Sequence, residues 1–262
     1  MHPIIFYSTH FTIYTLWIFI GLAIIAGTYS TIKLAKLNNL KIQFINDNSL
    51  FLVLISILGA RVYFLIQNFQ SYFYEISSQT LLNTLFIWDK GLSLTGAIIS
   101  FTIAFYILCK KNEQNFLKWL DVIIPSFILA MAIYAMGSFF EGNNYGKETG
   151  LPWGVNFESP NIKYRVPIHP TQIYAFIYSV AIYTFLVIYN QTIKIKETER
   201  RGFIATIGIL SFSFFKFIEE FFRGDDTWLF FGIRLPQIFA GITILVSGIF
   251  LIKKYTQFID KK

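Results

Sequence analysis

Five stretches of this chain, residues 11–32, 91–108, 122–140, 170–190 and 236–252, contain no Asp, Glu, Lys or Arg. Each is close to the roughly 20 residues that a helix needs to cross the hydrocarbon core of a bilayer, where a backbone must satisfy its own hydrogen bonds. Two further windows, 49–68 and 202–222, have similar length but hold Arg61 in one and Lys216, Glu219 and Glu220 in the other. They read as spans with polar interiors. The fold class expected is therefore an all-α polytopic membrane protein with about seven transmembrane helices. With 55% hydrophobic residues and only 14% charged, against roughly 25% in soluble domains, an ordinary soluble fold is excluded.

The net charge of +7 would suggest nucleic acid in a soluble chain, but here the basic residues sort by connection. The connections at 33–48, 109–121 and 191–201 and the tail after Ile252 hold 3, 3, 4 and 4 Lys and Arg. The N-terminus and the connections at 69–90, 141–169 and 223–235 hold 0, 1, 3 and 2. Because short cytoplasmic loops collect Lys and Arg, the N-terminus is expected outside and the C-terminus in the cytoplasm. No Lys or Arg precedes the first window and no clear small-residue cleavage pattern follows it, so the first helix is expected to be retained. The single cysteine, Cys109, rules out a disulfide framework and reads as a small apolar residue at a helix end.

The short cytoplasmic connections point to one helical domain over 1–262, with an extracytoplasmic loop insertion at 141–169. That insertion is rich in Gly, Asn and Pro, and connections of such length are often functional. Residues 69–90 are aromatic and poor in charge, which suggests a short helix lying at the interface. On the sixth span, Lys216, Glu220 and Arg223 fall at i, i+4 and i+7 and share one helical face, with Glu219 at its edge. An ion facing lipid at the bilayer centre costs at least about 2.5 kcal/mol, so this face should turn to other helices or a polar cavity. It is either a functional stripe or a salt-bridged packing face. Arg61, with Gly59 and Ala60 before it, allows a close helix approach. It either binds a lipid phosphate through its planar fork or pairs with Glu219 or Glu220.

Ordered blocks run along nearly the whole chain: Gly59-Ala60-Arg61-Val62-Tyr63; Trp88-Asp89-Lys90-Gly91-Leu92-Ser93-Leu94-Thr95-Gly96; Gly137-Ser138-Phe139-Phe140-Glu141-Gly142-Asn143-Asn144-Tyr145-Gly146; His169-Pro170-Thr171-Gln172-Ile173-Tyr174; Glu220-Phe221-Phe222-Arg223-Gly224-Asp225-Asp226; and Pro236-Gln237. In content, order and spacing they resemble the bacterial prolipoprotein diacylglyceryl transferase family. That resemblance implies a multi-pass protein of the bacterial cytoplasmic (inner) membrane that moves a diacylglyceryl group from phosphatidylglycerol to the lipobox cysteine thiol of a pre-lipoprotein signal peptide. Carried onto this chain, it gives Lys216, Glu220 and His169 as candidate catalytic residues. Arg61, Tyr63, Asn143, Gly146, Gln172 and Arg223 are the candidate substrate-binding residues. No cofactor or metal is expected.

Such a reaction needs a base for a thiol of ordinary pKa near 8.5 and donors for a phosphate leaving group that gathers negative charge. The chain departs from the family where those groups are usual. An Arg before the Gly137 block is Ala135, an Arg four residues before Glu220 is Lys216, a ring ahead of Gly96 is Thr95, and an acid after the His169 block is Ala175. Arg165, Lys163, His169 and Arg234 are the groups able to substitute. The alternative reading is an impaired member that binds phospholipid or lipoprotein. A retinal protein is disfavoured because the window 236–252 contains no lysine, and no pair of broken helices signals a transporter repeat.

Overall fold

The computed structural model describes residues 4–7, 12–69, 91–157, 162–192 and 201–259. Residues 70–90, on which the expected interfacial helix falls, lie outside them. Seven helices account for most of the described residues: α1 (Thr15–Leu37), α2 (Ile42–Gln67), α3 (Leu94–Lys111), α4 (Phe116–Glu141), α5 (Thr171–Thr192), α6 (Phe203–Phe222) and α7 (Leu235–Ile259). Two antiparallel hairpins accompany them, β1 (Ile4–Tyr7) with β2 (Thr12–Tyr14), and β3 (Leu229–Phe230) with β4 (Ile233–Arg234).

Six of the helices are long and apolar enough to cross a membrane. The seventh, α6, differs only in composition, since Lys216, Glu219 and Glu220 fall within its 20 residues. Twenty residues rise about 30 Å, the thickness of the hydrocarbon core. The chain is an all-α multi-pass membrane protein.

Some helices begin before the apolar windows and run past them. α2 starts at Ile42 and takes Asn46, Asp47, Asn48 and Ser49 into its first two turns, and α4 starts at Phe116. The connections are correspondingly tight, and each turns on a left-handed residue, Asn39 (φ 52°) and Glu113 (φ 53°). α7 runs past its apolar window and includes Lys253 and Lys254. The absence of lysine from the last helix therefore holds for the window alone.

Backbone packing divides the chain into two compact units, Met1–Leu37 with Leu117–Lys262, and Asn38–Phe116. In the second unit α2 and α3 pack closely because both contribute glycine. A Cβ on Gly59 would stand 3.0 Å from the Gly96 carbonyl oxygen, and Tyr63 occupies the space that a side chain on Gly96 would need. The Ser93 N–H donates to the Ala60 carbonyl at 3.1 Å, tying the start of α3 to α2. The small residues before Arg61 thus serve the close approach that their size suggested.

In the first unit α6 packs between α5 and α7. Ile128 of α4, Tyr178, Ile182 and Leu186 of α5 and Ile204 of α6 form one buried apolar cluster. Hydroxyls cross-link α1, α4 and α5, with Ser126 donating to Ser30 at 3.0 Å and Ser30 bonded to Tyr183 at 3.1 Å. The N-terminus of α6 is capped by another helix: Asp121 of α4 accepts the Gly202 N–H at 2.7 Å and the Ala205 N–H at 2.8 Å. Two of the orphan donors of a helix start are satisfied by a carboxylate, which also complements the helix dipole. Asp121→Ala should therefore lower the melting temperature in detergent, since a hydrogen bond to a charged group contributes about 1.5–3 kcal/mol. An unchanged melting temperature would contradict the capping role.

Candidate functional site

The polar face of α6 lies where α4 and α6 end and α5 and α7 begin, and the connection after α4 is sewn to it through backbone. Gly146 forms a bridge with Arg223, the Gly146 N–H donates to the His169 carbonyl at 3.1 Å, and the Gly224 N–H donates to the Tyr145 carbonyl at 2.9 Å. A Cβ on Gly224 would come within 2.5 Å of the Gly146 carbonyl oxygen, so this crossing requires glycine. The Lys147 N–H donates to the Phe222 carbonyl at 2.8 Å, and the Lys147 carbonyl accepts the His169 N–H at 2.9 Å.

Three cations and three carboxylates meet here. Lys216 Nζ bridges Glu219 Oε1 at 2.8 Å and Glu220 Oε1 at 3.0 Å. Arg223 donates from Nη1 to Glu219 at 3.2 Å, from Nε to Asp225 Oδ1 at 2.6 Å, and from Nη2 to Asn144 Oδ1 at 2.8 Å and to Asp225 Oδ2. Arg234 donates from Nε to Glu220 Oε2 at 2.8 Å, from Nη1 to the Asp225 carbonyl at 2.8 Å and from Nη2 to Asp225 Oδ1 at 2.9 Å. Tyr178 adds a hydroxyl to Glu219 Oε2 at 2.8 Å. Glu219, Glu220 and Arg223 are buried, and buried ions persist only when paired and hydrogen-bonded.

Burial opposes the charge on Asp225, but the Arg223 guanidinium, with Arg234 beside it, holds its carboxyl below the usual range. Burial likewise opposes the charge on Arg223, and the bonds to Asp225 together with Glu220 and Glu219 more than offset it, leaving Arg223 above its ordinary value. The depressed Asp225 contributes stability above the ordinary carboxylate pKa and loses it only as pH falls through the lower folded value. The Arg223–Asp225 pair is therefore charged on both sides across the neutral range.

A cavity of about 480 Å³ opens beside this network between α6 and α7, lined by Lys147, Glu220, Arg234 and Gln237 at its polar part and by residues such as Phe217 and Ile238 at its apolar part. Two of its lining cations keep N–H groups without a partner among the described residues. An arginine has five N–H groups, and Arg234 uses one on each nitrogen. Lys147 is exposed, gives one N–H to the Phe221 carbonyl at 3.0 Å, and has no carboxylate partner among the described residues.

Of the residues expected to form a site, Lys216, Glu220, Arg223, His169, Asn143, Gly146 and Gln172 are gathered in this unit. Glu220 lines the cavity, with Lys216 bonded directly to it. Arg223 stands behind, linked through Asp225 to Arg234. Gln172 is buried and donates to the Asn143 carbonyl at 2.6 Å, while its Oε1 has no hydrogen-bond partner among the described residues. His169 Nδ1 is bonded to the Tyr174 hydroxyl at 3.1 Å, which also accepts from Trp153 Nε1 at 2.9 Å, and its ring packs edge-on to Phe222. Partial burial lowers the His169 pKa, so the imidazole is neutral at pH 7. Arg61 and Tyr63 belong to the other unit, where buried Arg61 donates to the Gly91 carbonyl at 3.0 Å and lies over the Phe64 ring. Lys163 pairs with Asp226 at the surface.

A family model described as prolipoprotein diacylglyceryl transferase matches residues 3–253. The chain belongs to that family. Among relatives named phosphatidylglycerol–prolipoprotein diacylglyceryl transferase, that of Finegoldia magna is 31% identical over 244 residues, covering 93% of this chain and 92% of its own. That of Clostridium tetani is 30% identical and covers 96% of both chains, and that of Prochlorococcus marinus is 29% identical over 88% of this chain and 84% of its own.

The positions that depart from the transferase pattern have ordinary structural surroundings. Ala135 is buried in α4, Thr95 is exposed in the first turn of α3, and Ala175 packs against the Tyr178 cluster. Sequence reasoning named Arg234 only as a possible substitute and passed over Lys147, Asp225, Asn144 and Tyr178 as site members. Asp225 and Asn144 lie inside quoted blocks, and Tyr174 and Tyr178 share a helical face, so those signals were available. Nothing local marks Lys147 as facing a cavity.

Proposed function

We propose that this transferase acts in the bacterial cytoplasmic membrane on phosphatidylglycerol and a lipobox signal peptide, with its catalytic end on the outer side and its C-terminus in the cytoplasm. The observation that carries this reading is the cavity between α6 and α7. It couples two cations with unused N–H groups, Lys147 and Arg234, to an apolar wall, and so suits an anionic phospholipid.

In the reaction the cysteine sulfur attacks the methylene carbon that carries the phosphate. The C–S bond forms as the C–O bond breaks, the electron pair leaves on the phosphate oxygen as glycerol phosphate, and the thiol proton passes to a base. Lys147 and Arg234 stabilise the charge gathering on the leaving phosphate. Glu220, bonded by Lys216 at one oxygen and Arg234 at the other, holds the cations in place. His169, with Nδ1 engaged by Tyr174, has Nε2 as the proton acceptor. Arg223 braces Arg234 from behind through Asp225, and Asn143, Gly146 and Gln172 tie the connection after α4 to the chain entering α5.

The experiment is steady-state transfer in phosphatidylglycerol vesicles for Lys147→Ala and Lys147→Arg. Loss of a charge-assisted bond should lower kcat/KM about ten- to a hundredfold in the first, with most of it restored in the second. Equal kcat/KM for wild type and Lys147→Ala would remove Lys147 from the phosphate. The rate should also fall as pH drops below about 6.5, the ordinary histidine value, through the lower His169 value, because protonation removes the acceptor. His169→Gln should be slow and lack this acid limb, and the same acid limb in His169→Gln would assign the base elsewhere.

A further inference from the structure

Between α6 and α7 the chain makes a hairpin whose surface has the wrong chemistry for water. Trp228 is 84% exposed, Phe231 is 90% exposed, and Leu229, Phe230 and Ile233 are also exposed. No charged residue occurs between Asp226 and Arg234. The strands are two residues each, Leu229 and Phe230 against Ile233 and Arg234, and the Leu235 N–H closes the hairpin onto the Trp228 carbonyl at 2.9 Å.

The turn uses Phe231 (φ 50°) and Gly232 (φ 78°) as its central residues. Two positive φ values define the tight turn that favours Asn-Gly, and a bulky side chain is a poor choice for its first position. A phenylalanine there is unfavourable for the turn and unfavourable for solvation in water. Burial in an apolar medium removes the second penalty.

Position decides which medium that is. β4 runs directly into α7, and Trp228 lies six residues beyond the end of α6, so the hairpin sits at the level of two membrane-crossing helix ends. Three residues of strand and turn reach about 10 Å, comparable to the depth of the headgroup layer on each side of the hydrocarbon core. The exposed apolar surface continues onto Phe221 and Phe222 of α6 and Phe239 and Ile242 of α7. Aromatic rings are favoured at that boundary. On the other face, Gly232, Ile233 and Arg234 line the cavity.

We propose that the 227–233 hairpin is inserted in the lipid leaflet at this end of α6 and α7, where its tip contacts phospholipid and its inner face forms the lipid-side rim of the cavity. Arg234 fixes the base of the hairpin to Glu220 and Asp225, while Trp228 and Phe231 hold its tip in lipid. The inference rests on the hairpin and on the membrane spans and does not depend on the transfer reaction.

The test places an environment-sensitive fluorophore (NBD) on Phe231→Cys in a Cys109→Ala background, with the protein in phospholipid nanodiscs. Gly150→Cys, at an exposed loop position where an added Cβ meets nothing within 4 Å, is the water-facing control. The expected result is blue-shifted emission at position 231, quenching by nitroxide-labelled acyl chains, and slow reduction by dithionite compared with position 150. Fast reduction without nitroxide quenching would put the tip in water. Slow reduction without nitroxide quenching would put it against protein, and either outcome overturns the proposal.

Discussion

Arg223→Ala should lower folded yield and melting temperature more than any other single substitution at the site. Arg223 is buried and joins three separate chain segments: Glu219 on α6, Asp225 beyond it, and Asn144 in the connection after α4. Removing it leaves Glu219 to Lys216 and Tyr178, leaves Asp225 to Arg234 alone, and frees the Asn144 oxygen. Breaking a buried ion pair by deleting one partner costs about 3–5 kcal/mol, because the remaining charge stays desolvated. Arg223→Lys should recover only part of this, since an ammonium cannot span both Asp225 oxygens and Asn144 in one plane. Thermal unfolding in detergent measures it. A melting temperature for Arg223→Ala equal to that of wild type would show that the network contributes no stability.

The second large effect concerns turnover. Arg234→Ala should reduce kcat by roughly a hundredfold to a thousandfold, the usual loss when one preorganised donor to a developing oxyanion is removed. Arg234 also holds Glu220 and Asp225, so a structural contribution must be separated from a chemical one. Glu220→Gln keeps an acceptor for Arg234 while removing its ion pair, and should lose much less activity than Arg234→Ala even where it lowers the melting temperature. If Arg234→Ala turns over at the wild-type rate, the leaving phosphate is stabilised elsewhere.

Much of this was legible in the residues because the membrane imposes a simple rule. A charge-free window of the right length must be helical, and five such windows, with two more of the same length that have polar interiors, correspond to the seven helices. The i, i+4, i+7 spacing placed Lys216, Glu220 and Arg223 on one face, and glycine before Arg61 marked the close contact between α2 and α3. Helix ends were less legible, because Asn46, Asp47 and Asn48 at the start of α2 and Lys118 and Asp121 at the start of α4 interrupt the apolar pattern before the windows begin. β1 and β2 were missed for a similar reason, as short strands held by local pairing.

The site was legible on its own helix and not across helices. The pairing of Arg234 with Glu220 spans 14 residues and that of Tyr178 with Glu219 spans 41. Neither follows from spacing, because each depends on how α5 and α7 pack against α6. The spacing left Lys216 and Arg223 as either a functional stripe or a salt-bridged face, and in the structure both are paired with carboxylates. Lys147 and Arg234 keep donors toward the cavity, and only tertiary packing distinguishes the two pairs.

The most direct measurement incubates the purified protein in phosphatidylglycerol vesicles with a synthetic lipobox peptide and follows both products by mass spectrometry. The account predicts that the peptide gains one diacylglyceryl group on its cysteine, that one glycerol phosphate is released for each peptide modified, and that Arg234→Ala nearly abolishes both. A protein that binds phosphatidylglycerol yet neither modifies the peptide nor releases glycerol phosphate would contradict it.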